Sequence, residues 1–309
     1  MSDKDIKYTK RYTDCSSSTS DKCSALREKM LLPERFNDII GSIYLPISKL
    51  IVDKKQSRPL LVSINGAQGT GKSTLTTFIK QIIESEYNYN VAAFSLDDFY
   101  LTRELRKQLS HKIHPLLKTR GVPGTHDINL LENVLNSLLR GDTCSVPVFN
   151  KAKDNQVHRN DWINYNKRVD IILFEGWCNN SPIQNISELK NPINELEENE
   201  DKQGIWRTYA NDKLDEYHQR VFKHADLCVM LKAPDFKYIY EWRNVQEHKL
   251  KLETPEFQQS HIMQKDDLVR FIQHFERITR HTIKHLPDDA DLVIPINADH
   301  SINRILQRK

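Results

Sequence analysis

Nine glycines in 309 residues, about 3 % against a usual share near 7 %, exclude a collagen, a glycine-rich linker protein and a low-complexity chain. Forty-five Lys and Arg against 42 Asp and Glu leave a formal charge of +3, so no chain-wide basic field argues for a nucleic-acid partner or a membrane surface. Five cysteines, never spaced C-x-x-C, fit a reducing compartment, and no apolar run can span a bilayer or serve as a secretory h-region. The expectation is a soluble, cytoplasmic protein.

Residues 1–24 carry the run Ser16 to Ser20 among charges, with little to bury, and read as a mobile arm. Across 25–55, Leu26, Met30, Phe36, Ile39, Ile40 and Ile43 recur, interrupted by Pro33 and Pro46. That pattern predicts a helical extension packed on a main domain at 56–309. Leu60 to Asn65 is a short apolar run that predicts a strand, followed by glycines and a helix from Lys72 to about Glu86. Further strands are predicted at Val91 to Leu96, Asp170 to Phe174, Asp226 to Leu231 and Asp291 to Ile296. All five runs are continuous rather than alternating, as in strands buried on both faces of a parallel sheet.

Helical periodicity lies between the strands. Asp212 to His224 places Leu214, Tyr217 and Val221 on one face, and Lys265 to His285 does the same with Leu268, Phe271, Ile272, Phe275 and Ile278. Residues 181–204, rich in Glu and Asn, read as a solvated acidic insertion. Strands alternating with helices predict an α/β fold with a doubly wound, five-stranded parallel sheet.

Three of the nine glycines fall in Gly66-Ala67-Gln68-Gly69-Thr70-Gly71-Lys72-Ser73, the pattern G-x-x-x-x-G-K-S, followed by Thr74. Glycines let the backbone wrap a phosphate with its N–H groups inward, and the next helix adds its N-terminal partial charge. Lys72 then reaches the β- and γ-phosphates, and the Ser73 hydroxyl ligates Mg²⁺. At this chain's own residue frequencies a chance match arises in roughly 1 in 400 such chains, and here the motif also follows a strand and opens a helix. Gly66 to Thr74 are therefore read as an ATP-binding P-loop.

Beyond the second strand, Ser95-Leu96-Asp97-Asp98-Phe99-Tyr100 sets two carboxylates at a strand's carboxyl end, where α/β sheets bind ligands. Phosphoryl transfer to an alcohol needs a carboxylate there to orient the hydroxyl or take its proton. Glu175, ending the third strand in Phe174-Glu175-Gly176-Trp177, suits the Mg²⁺ side of the site. The turn Arg120-Gly121-Val122-Pro123-Gly124-Thr125-His126-Asp127 offers a guanidinium, an imidazole and a carboxylate for a small anionic, hydroxylated acceptor. A surface turn capped by Asp127 is the competing reading of the same residues.

Together with Ala233 to Glu247 and Phe271 to Thr279, these segments resemble the D-glycerate 3-kinases. That family sits within the wider P-loop group of phosphoribulokinase, uridine kinase and bacterial pantothenate kinase. The resemblance implies a kinase-type P-loop domain with a helical lid across 235–285, using ATP and Mg²⁺ on a small metabolite. It implies Asp97 as catalytic carboxylate, with Lys72 and Arg243 as catalytic cations, Arg243 closing over the transferring group. Asp98, Tyr100, Arg120, His126 and Asp127 are expected at the acceptor, and Ser73 and Glu175 at the metal. The alternative is a nucleotide-binding regulator of the same fold without transferase activity; turnover on small hydroxylated acceptors separates the two.

Overall fold

The computed structural model describes residues 4–6, 15–253 and 265–308. Parts of the predicted arm and lid, at 1–3, 7–14 and 254–264, lie outside the described residues. Seven strands form one sheet: β1 Lys4–Ile6, β2 Leu60–Gly66, β3 Val91–Ser95, β4 Ile171–Gly176, β5 Leu227–Lys232, β6 Leu292–Pro295 and β7 Ile305–Gln307. Their order is β1-β7-β6-β5-β2-β4-β3. The five predicted strands form its parallel part, while β7 and β1 extend one edge antiparallel. Sequence reasoning missed both edge strands, each only three residues long.

The helices used below are α1 Ser17–Lys29, α2 Leu45–Asp53, α3 Lys72–Glu86, α4 Arg103–Lys112, α5 Ile128–Arg140, α6 Glu195–Glu200, α7 Ile205–Arg220, α8 Phe236–Glu253 and α9 Lys265–Asp289. They cover both faces of the sheet, and alternate residues of β2, β3 and β4 divide between two cores. Val62, Ile64, Ile171 and Leu173 pack with Phe78, Ile79 and Ile82 of α3 and with Ile47 and Ile51 of α2. Leu61, Ile172 and Phe174 face the other way, onto Leu131 and Leu135 of α5, Leu214 of α7 and Phe275 of α9. Period-two alternation between two apolar layers is why each strand reads as a continuous run.

Two predictions need correction. The arm does not extend through residue 24, because residues 17–29 form α1. Ser16 caps that helix, and both Ser16 and Thr19 donate 2.7 Å hydrogen bonds to the Glu86 carboxylate at the end of α3. Thr19 and Cys23 are fully buried.

The acidic segment at 181–204 is not merely solvated. Leu189 and Leu196 enter the core, and Glu197 and Asp201 are buried in ion pairs with Arg277 of α9 and Arg207 of α7, at 2.6 and 3.0 Å. A low-dielectric site tolerates a carboxylate only beside such a partner.

Candidate active site

The β2–α3 connection carries the glycine motif. Gly69 and Gly71 have φ of 81° and 86°, a region open to glycine at little cost, so the chain reverses within five residues and starts α3 at Lys72. Thr70 Oγ1 and Lys72 Nζ both donate to the Ala67 carbonyl, at 2.8 and 3.1 Å, folding the lysine back over the loop. Burial pulls the Lys72 ammonium below the usual lysine pKa, against the opposing pull of Glu175 and Asp97.

Strand register assembles the rest. Glu175 of β4 lies opposite both Ile64 of β2 and Ser95 of β3, so the carboxyl ends of three neighbouring strands converge. There Ser73 Oγ donates to Glu175 Oε1 at 2.7 Å. Gly176 must lack a side chain, because a Cβ would stand 2.1 Å from Asn179 Oδ1 and 2.9 Å from Leu96 Cβ.

Asp97 receives Lys151 Nζ at 2.6 Å on one oxygen and the Tyr100 hydroxyl at 2.9 Å on the other. Burial raises its pKa, but Lys151, Tyr100 and Lys72 outweigh burial and hold it at about 2. The carboxylate is thus ionised throughout the neutral range.

One cavity of about 300 Å³ gathers most of the predicted residues. Gln68, Gly69, Gly71, Lys72, Ser73 and Thr74 line it from the P-loop, and Asp97, Tyr100, Arg120, Glu175 and Arg243 line it as well. Gly66, Ala67 and Thr70 form the buried underside of the loop. Arg120 is oriented by Asp154 at 2.5 Å and lies over the Phe149 ring.

Asp98, His126 and Asp127, expected at the acceptor, do not line this cavity. Asp98 turns back to accept from the Ser95 and Phe149 amides, and burial raises its pKa to about 6. His126 stacks behind Tyr100 with ring centroids 4.5 Å apart, and its Nδ1 sits 2.9 Å from the Tyr217 hydroxyl. Burial lowers its pKa to about 3, so it brings no cation to an anionic ligand. Asp127 caps α5 through the Leu130 amide at 3.0 Å.

Sequence comparison places this geometry. Residues 61–211 match the model of the Phosphoribulokinase / Uridine kinase family. The chain is 32% identical over 232 residues to the uncharacterized kinase mug58 of Schizosaccharomyces pombe, covering 72% of this chain and 80% of that one. The chain belongs to the phosphoribulokinase/uridine kinase family. It is an ATP-dependent small-molecule kinase.

Another family relative is the chloroplastic D-glycerate 3-kinase of Arabidopsis thaliana, 29% identical over 195 residues, which make up 60% of this chain and 40% of that protein. Among solved structures, a D-glycerate 3-kinase from Cryptococcus neoformans superposes with a TM-score of 0.71. The match covers 87% of this chain and all of that one at 23% identity, a likeness of fold.

Sequence reasoning did not assign five cleft-lining residues to the site: Ser95, Lys151, Trp177, Phe271 and Phe275. Lys151 sits on the turn between the two-residue strands Phe149–Asn150 and Asn155–Gln156, with no local pattern tying it to Asp97. Trp177 donates to the Gly121 carbonyl at 3.0 Å and meets Phe275 edge-on, securing the turn that carries Arg120. Phe271 and Phe275 stand in the sequence as members of an apolar helix face and of the segment Phe271 to Thr279, neither of which assigns them to the cleft.

Proposed function

We propose that this kinase transfers the γ-phosphoryl group of MgATP to a hydroxyl of D-glycerate. The observation that carries the reading is Asp97 set between Lys151 and Tyr100 in a cleft shared with Arg120, Arg243 and the P-loop. A carboxylate to orient an alcohol, with cations beside it for an acid group, suits a small hydroxy acid better than a neutral nucleoside. The likeness to D-glycerate 3-kinases in sequence and in fold supports the same acceptor.

In this reading the P-loop amides and Lys72 hold the phosphates, and Arg243 neutralises charge on the transferring group. Ser73 and Glu175 offer Mg²⁺ a hydroxyl and a carboxylate oxygen 2.7 Å apart, the hard oxygen donors it favours. Bound there, the metal would neutralise phosphate charge. Asp97, with a pKa near 2, is a weak base. Its role is to align the hydroxyl and accept the proton late, which suits a loose transition state. An acceptor carboxylate that draws Lys151 away would make Asp97 more basic when the proton departs.

The test is ADP release with D-glycerate, L-glycerate, pantothenate, uridine and ribulose 5-phosphate. D-glycerate is expected to give the highest kcat/KM. Turnover with uridine or pantothenate and none with glycerate would overturn the assignment.

A second prediction concerns pH. In Lys151→Met, burial acts on Asp97 without its main opposing charge, so its pKa rises from about 2. The acidic limb of kcat/KM should move to higher pH and KM for the anionic acceptor should increase. An unchanged limb would show that Lys151 does not tune Asp97.

A further inference from the structure

Beside the cleft lies a second cavity, of about 710 Å³, and the two share Arg120, Lys151 and Phe271. Seven cationic side chains line it against only two carboxylates, Asp154 and Glu200. Arg106 builds its wall: this guanidinium is 1% exposed, donates to the Leu101 and Lys118 carbonyls, and pairs with Asp154 at 2.8 Å. Glu200 is taken by Arg270 at 2.7 Å. That leaves Arg103 of α4, Lys118 and Lys153 facing one space, with no carboxylate partner among the described residues.

Such convergence of like charge is unfavourable in the empty cavity and favourable around an anion. Guanidinium and ammonium groups around one concavity suit a phosphate, which accepts from both. We propose that this cavity is a second anion site, for a phosphate-bearing small molecule, distinct from the P-loop and independent of which acceptor the cleft takes. The Lys151–Asp154 turn forms the partition, with Lys151 on Asp97 and Lys153 in the cavity. An anion there therefore also attracts Lys151 and Arg120, which links its occupancy to the acceptor cleft. Two sources share this chemistry: a distal phosphate on the acceptor itself, or a separate effector.

The test uses the full chain with saturating MgADP, so that the nucleotide occupies the P-loop, and titrates inorganic phosphate by calorimetry. Lys118→Ala/Lys153→Ala should weaken phosphate binding about tenfold, the scale of one or two charge-assisted contacts, while MgADP affinity stays unchanged. Both side chains are exposed, so the variant should melt like the wild type, and Arg103→Gln provides an independent second variant. A phosphate effect on KM for D-glycerate that the double variant loses would identify a separate effector. A loss of kcat/KM confined to phosphate-bearing acceptors would identify the acceptor's own group. Equal phosphate affinity in wild type and both variants would overturn the proposal, whatever acceptor the kinase uses.

Discussion

Asp97→Asn should lower the rate of phosphoryl transfer by about 10²–10⁴-fold, the usual contribution of a positioned proton acceptor. Asparagine keeps the shape and the oxygen that accepts from Tyr100, but it removes the charge that holds Lys151 at 2.6 Å. Nucleotide binding should stay close to wild type, because the P-loop is built on Ala67, Thr70, Lys72 and Ser73 and does not hydrogen-bond to Asp97. Lys72→Ala should behave differently, weakening MgATP and transfer together. Single-turnover rates and equilibrium MgADP binding separate the two effects, and a wild-type transfer rate in Asp97→Asn would remove Asp97 from the chemistry.

The same substitution has a stability signature with a definite sign. Asp97 is held at about 2, below the roughly 3.9 of an unfolded aspartate. Its contribution is therefore present above that unfolded value and lost as pH falls towards 2. Asp97→Asn should flatten that part of the acid-unfolding profile and leave the alkaline side alone.

The parallel core was legible because strands buried on both faces leave continuous apolar runs, as at Leu60 to Ile64 and Ile171 to Phe174. The α1 helix was not. A serine run looks disordered until its cap and its bonds to Glu86 are known, and the partner lies about 70 residues further along. The edge strands β1 and β7 escaped for a related reason, since three residues carry too little periodicity to register.

The site divides along the same line. The P-loop, Asp97 and Glu175 are visible because their positions follow strand ends and local spacing. Lys151 meets Asp97 across 54 residues through a turn whose geometry no local pattern encodes. Asp98, just after β3, and Asp127, at the start of α5, both accept from backbone amides. An Asp at a turn satisfies exposed N–H groups as readily as it binds a ligand.

Breaking the buried pair between α6 and α9 should cost far more than breaking its exposed neighbour. Glu197 is fully buried and Arg277 is 6% exposed, and the guanidinium reaches both carboxylate oxygens, at 2.7 and 2.6 Å. It also donates to the Glu188 and Asn191 carbonyls, so one side chain ties three parts of the acidic segment to α9. Arg277→Met would strand Glu197 in a low-dielectric site with its Ile193 amide donor but no cation. Destabilisation of about 3–5 kcal/mol is expected, the range for removing one partner of a buried pair. Arg270→Met, which breaks the half-exposed pair with Glu200, should cost under about 1 kcal/mol. Urea unfolding of both variants reads the contrast directly, and equal losses would mean that the acidic segment is not anchored through Arg277. Because α9 also presents Phe271 and Phe275 to the cleft, the damage should not stop at stability. Below its unfolding midpoint, Arg277→Met should also show a raised acceptor KM, as the aromatic wall loses the anchor on the far side of its helix.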